Sequence, residues 1–182
     1  MNQRSLLHSV LHALRSALVG KSSNITHLTQ LPHRPPTRDP DQWRAYWASQ
    51  GQKWRTEPEI DKERQAYLAQ RRLIPPDIEH GIYPFKDIKL DRADVEWLLA
   101  TLDGRGPVDW GDESQREREG LDVRGADLRR GDLQKLPLAR LIGGLKLDEW
   151  RDVTQGQRDM AAVHMEEAKF TEAHLVVHSL NA

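Results

Sequence analysis

From Leu121 onward the chain repeats every five residues, a period that belongs to neither an α-helix nor a β-strand. The windows 121–125, 126–130, 131–135 and 136–140 place Val123, Leu128, Leu133 and Leu138 at their centres. The pattern breaks, then resumes at Arg158 with Met160, Met165, Phe170, Leu175 and Leu180 as the next five centres. All nine are apolar in a chain whose apolar fraction is 37%, an outcome with a chance of about one in ten thousand, or roughly one in four hundred with the phase of each block left free.

The flanking positions carry the same beat. Two before the centre stand Ala126, Gly131, Ala168 and Ala173, and one before it stand Asp122, Asp127, Asp132 and Asp159. A small residue, an acid, then Leu or Phe every five residues resembles the pentapeptide-repeat family. The resemblance implies an α+β chain: a helical head followed by a short right-handed, four-sided β-solenoid, or β-helix, in which each window is one side and four windows make a coil. It places the solenoid over 121–182, interrupted by a helical insertion at 141–157. The nine apolar residues named above are then the structural repeat centres. Nine windows make little more than two coils, a marginal array: either the chain is a fragment of a longer repeat protein, or its open end meets another chain.

The residues before the repeat read as two further segments. From Met1 to Arg38 no acid occurs, and Leu6, Leu7, Val10, Leu11, Leu14 and Leu18 recur at helical spacing between Arg4 and Lys21. This basic leader and its Pro-rich linker fit a surface helix, a membrane- or partner-docking helix over residues 1–20, or a transit segment. Residues 39–120 form the helical head. Asp39-Pro40 opens one helix that Gly51 ends, and Trp43 and Trp47 share its face. Thr56 to Glu59 has the form of a capping box opening a second helix to about Arg72, and Asp91 caps a third to Leu102. Leu147 to Arg151 suggests a short helix inside the insertion. The stretch Ile78 to Leu90, leading into Val95-Glu96-Trp97-Leu98-Leu99, is also similar to the heads of bacterial pentapeptide-repeat proteins.

Charge is unevenly distributed. Residues 1–55 carry 8 Lys/Arg against 2 Asp/Glu, residues 56–120 carry 10 against 16, and the rest 9 against 10. No segment is basic enough to imply a nucleic-acid groove. Cysteine is absent, which excludes disulfides and thiolate sites and fits a reducing, cytoplasmic location. Only 41 residues are Leu, Ile, Val or Phe, too few for a thick core, and the 30% charged fraction argues against a membrane protein.

Chemistry-bearing clusters read as structural. His164, His174 and His178 have no shared face in a five-residue repeat, so no metal site is expected. Gly104-Arg105-Gly106 and Gly143-Gly144 lack the Lys and Ser/Thr of a phosphate loop. Glu166, Glu167 and Glu172 form a solvated acidic face, and Trp97 and Trp110 read as packing or anchoring residues. No catalytic residue, cofactor or metal is therefore assigned. The expected function is a non-enzymatic scaffold or protein-interaction module whose partner is another protein, with self-association through the open end as one form. Some members of the family mimic DNA and inhibit topoisomerases. That alternative is opposed here by Arg124, Arg129, Arg130, Lys135 and Arg140 on the first block. An enzyme with its site in the head is the third class.

Overall fold

The computed structural model describes residues 33–175. The chain divides into two compact units, Met1–Arg34 and Pro35–Ala182. The leader helix over 1–20, His178 and the repeat centre Leu180 lie outside the described residues. Among those described, the second unit holds four α-helices: α1 (Pro40–Ser49), α2 (Lys62–Arg72), α3 (Arg92–Ala100) and α4 (Gln155–Ala161).

Capping chemistry sets the helix starts. Asp39 accepts from the Asp41 N–H ahead of Pro40, and Trp43 and Trp47 bury one face of α1, with the Arg55 guanidinium 3.5 Å above the Trp47 ring. Helix α2 begins after Asp61, later than the Thr56 box suggests. The Thr56 and Glu57 N–H groups are taken instead by the Glu96 carboxylate of α3, at 2.9 and 3.0 Å. A full capping box between Asp91 and Asp94 opens α3, which stops at Ala100, and Leu102 falls in a 3₁₀ turn, Leu102–Gly104. Arg72 ties α2 to the end of α3 by donating to the Leu98 and Thr101 carbonyls.

The five-residue period forms turns. Ala126, Gly131, Leu136 and Leu141 each donate backbone N–H to the carbonyl three residues before, and the third turn residue has positive φ: Gly125 (68°), Arg130 (60°), Lys135 (62°) and Arg140 (58°). The same turn recurs at Phe85 to Ile88, with Asp87 at 59°, and after Met165 and Phe170, with Glu167 and Glu172 at 60° and 59°. Aspartate one before the centre has a direct role: Asp122, Asp127 and Asp132 accept from the N–H two residues on, at 3.0 to 3.2 Å.

These turns stack in three storeys. Asp127 bridges Lys89 below and His164 above, Asp132 bridges Lys169, and Asp122 bridges Ile142, all in parallel. The head contributes the lowest storey, and residues 121–140 form the middle one. Residues 141–143 and 163–175 form the top. Leu68, Phe85, Val95 and Leu98 of the head share one core with Val123, Leu128, Leu133 and Leu138.

The β-solenoid and right-handed β-helix implied by the resemblance are overturned. Among the described residues there is no β-strand and no sheet, and the parallel pairing consists of isolated one-residue bridges. The cause is the turn spacing: a positive-φ residue every fifth position breaks each side before consecutive ladder bonds can form. The insertion also sits elsewhere than 141–157. Ile142 donates to the Leu121 carbonyl, so 141–143 belong to the top storey, and the excursion runs from Gly144 to about Ala162. Its helix is α4, capped by Thr154 and Gln157, whereas Leu147 to Arg151 forms turns.

Candidate functional site

The seven expected centres that fall in the described storeys divide sharply between them. Val123, Leu128, Leu133 and Leu138 are buried, at 2% exposure or less. One storey up, Met165 and Leu175 are 38% and 40% exposed and Phe170 is half-buried. Met160 stands in α4, not in a turn, and its side chain lies against Gly81, where a Cβ would meet its sulfur at 2.5 Å.

Backbone pairing explains the contrast. Leu128, Arg130, Leu133 and Lys135 donate their N–H groups up to the carbonyls of His164, Glu166, Lys169 and Thr171, at 2.8 to 3.1 Å. Their equivalents one storey higher are Met165, Glu167, Phe170 and Glu172. Among the described residues, the N–H of each of these four meets no acceptor. The top storey therefore presents an open row of donors above a row of half-covered apolar side chains.

The corners of the stack carry charge. Arg130 Nε lies 3.1 Å from Glu167 Oε2 and Lys135 Nζ 3.7 Å from Glu172 Oε2, with all four side chains at least two-thirds exposed. A groove of about 970 Å³ adjoins the same edge, with Val108, Trp110, Pro137 and Leu175 as its apolar lining and Glu172 and His174 at its rim.

The floor under this edge is held rigidly. Arg92, at the start of α3, donates to the carbonyls of Asp132 and Gln134 in the middle storey, at 2.9 and 3.0 Å, while its Nε bonds Glu96. Burial pushes the Glu96 carboxyl above its ordinary range, and the Thr56 and Glu57 N–H groups, Arg92 and Arg55 pull it back. On another side, buried Arg124 joins Asp122 at 2.7 Å to Glu149 of the insertion at 3.1 Å, anchoring the insertion to the middle storey.

The remaining chemistry-bearing residues are placed on the wall and in the head. His164 lies 3.8 Å from Glu166 on the exposed wall, and among the described residues no group of three His, Cys, Asp or Glu side chains could hold a metal. The Arg72 guanidinium lies 5.5 Å from the Trp97 ring, joining α2 to α3. Gly104 and Gly106, at φ 68° and 81°, close the turn after α3. A smaller cleft of about 330 Å³ is lined by Arg71, His80 and Lys86, but each is engaged, with the Pro84 carbonyl, Asp77 and the Gly81 carbonyl respectively. Hydrogen bonding between His80 and Asp77 raises the imidazole pKa and lowers that of the carboxyl.

Sequence reasoning missed the open donor row. Its one visible trace was the charge reversal between Arg130 and Lys135 and the two Glu residues that stand 37 positions later. No helix of the described residues is long and apolar enough to cross a membrane. Comparison with protein-family models, with curated proteins and with solved structures finds no match to this chain.

Proposed function

We propose that this chain is a non-enzymatic protein-interaction module, and that its docking surface is the top storey of turns. The observation that carries this reading is the open donor row at Met165, Glu167, Phe170 and Glu172. A segment of a partner protein laid along that edge would accept these four N–H groups as the top storey accepts those beneath it, and would cover Met165 and Phe170. Main-chain bonds supply the affinity in such strand-addition complexes, and the side-chain rows supply specificity. At about 1 kcal/mol net for each bond, with the apolar cover added and the cost of association subtracted, the contact is of modest affinity, suited to reversible assembly. The absence of cysteine fits a cytoplasmic setting. Mimicry of DNA is opposed by the alternation of Arg130 and Lys135 with Glu167 and Glu172 along the wall.

The test is selection of short random linear peptides on the full chain, followed by backbone hydrogen exchange of the complexes. The expected result is a set of mutually competing peptides that slow exchange at Met165, Glu167, Phe170 and Glu172. Failure to recover any binder, or protection confined to other amides, refutes the reading.

A further inference from the structure

The edge is chemically biased toward one kind of occupant. Going up each of two corners, a base is followed by an acid: Arg130 then Glu167, Lys135 then Glu172. The row left facing upward is thus acidic at two corners five residues apart. A layer that continued the stack would place its own corner residues over those carboxylates, where opposite charges stabilise and like charges repel. Corner residues also need positive φ, and Arg130 and Lys135 show that long basic side chains occupy this conformation in this turn.

Resting on the docking surface proposed above, we infer that the partner's segment is basic in a defined pattern: an apolar residue every fifth position, with Lys or Arg two residues after each. The chain's own middle storey, Leu128-Arg129-Arg130-Gly131-Asp132-Leu133-Gln134-Lys135, has that pattern and already faces the same two carboxylates from below. A second copy docked by its own top edge would instead bring two acidic rows together, so the corner charges favour a basic segment of a partner protein over such a pair. The acidic corners thus have two effects: they oppose edge-to-edge self-pairing and select a basic partner.

Two peptides test this on the full chain by fluorescence anisotropy. One carries residues 126–140 of this sequence; the other is identical except for Glu at the positions of Arg130, Lys135 and Arg140. The basic peptide is expected to bind at least about tenfold more tightly, with a preference that shrinks as salt is raised. The Glu167→Arg, Glu172→Arg double variant should invert the order; it sets like charges against Arg130 and Lys135, but because these corners are exposed its melting temperature should fall only slightly. Equal binding of the two peptides, or a preference that survives the double variant, overturns the charge pattern while leaving the docking surface standing. Selected peptides that protect the edge but carry no basic residues at five-residue spacing do the same. Concentration-dependent dimerisation that protects the edge amides overturns the choice of occupant. If peptide selection recovers no binder and neither of these peptides binds, the docking surface itself falls.

Discussion

Lys135 offers a direct test of the turn stack, because glycine and alanine should reverse their usual order of stability there. Both substitutions remove the same exposed contact with Glu172, so the difference between them isolates the backbone. At φ 62° an alanine bears a left-handed penalty of about 1–2 kcal/mol that glycine escapes. Glycine in turn loses about 0.5–1 kcal/mol more conformational freedom on folding. The balance favours Lys135→Gly over Lys135→Ala by roughly 0.5–1 kcal/mol. Applied to Arg130 and Lys135 together, which occupy separate corners, the gap is about 1–2 kcal/mol, or roughly 2–8 °C in melting temperature for a chain of this size. The control is Ala66, exposed within α2, where Ala66→Gly should cost about 1 kcal/mol in the ordinary direction. Urea unfolding at constant m-value measures both. If the double alanine variant at the corners equals or exceeds the double glycine variant, the positive-φ turns are not as described and the stack built on them fails.

Truncation should separate the two storeys. Leu128→Ala, in the buried middle storey, should cost about 2–5 kcal/mol, and Met165→Ala, directly above it and 38% exposed, less than about 1 kcal/mol in the same urea experiment. Asp127 governs part of the acid limb. The Arg129 guanidinium, and then the Arg129 N–H, hold its carboxyl well below the usual carboxylate range. Its contribution is therefore complete above an unfolded value of about 3.9 and is lost as pH falls below that. Asp127→Asn should be less stable than the wild type at neutral pH and lose less stability between about pH 4 and pH 2, as followed by circular dichroism.

Local signals were legible where a local contact decides the structure. Asp39 and Asp91 cap the helices that their sequence contexts suggest, and the aspartates of the repeat cap its turns. The second helix was misplaced because the Thr56 and Glu57 amides are claimed by Glu96, forty residues away, which no local pattern reveals. The period of five was visible, but it was the period of a turn and not of a strand. The insertion was displaced for a packing reason. Position 143, a true central position of the top storey, is glycine because Val163 fills its space: a Cβ there would lie 2.7 Å from a Val163 methyl. Met160 supplied a false centre because α4 happens to carry a half-buried apolar residue in phase with the repeat. The open donor row is a property of backbone pairing, and only its charged corners leave a mark on the sequence.

The excursion between Gly143 and Val163 leaves and rejoins the same storey, where Val163 donates to the Gly143 carbonyl at 2.8 Å. Its two ends are thus clasped together independently of what lies between them, and the beat of the stack does not count its residues. Length is therefore a free variable at this one place. Lengthening the exposed bend at Arg151 and Asp152, beyond the Arg124–Glu149 anchor, should cost only about 0.6 kcal/mol for each doubling of the loop. The same bend is accordingly the natural port through which a tag, a probe or a whole additional domain could be carried on this fold without disturbing the top storey of turns.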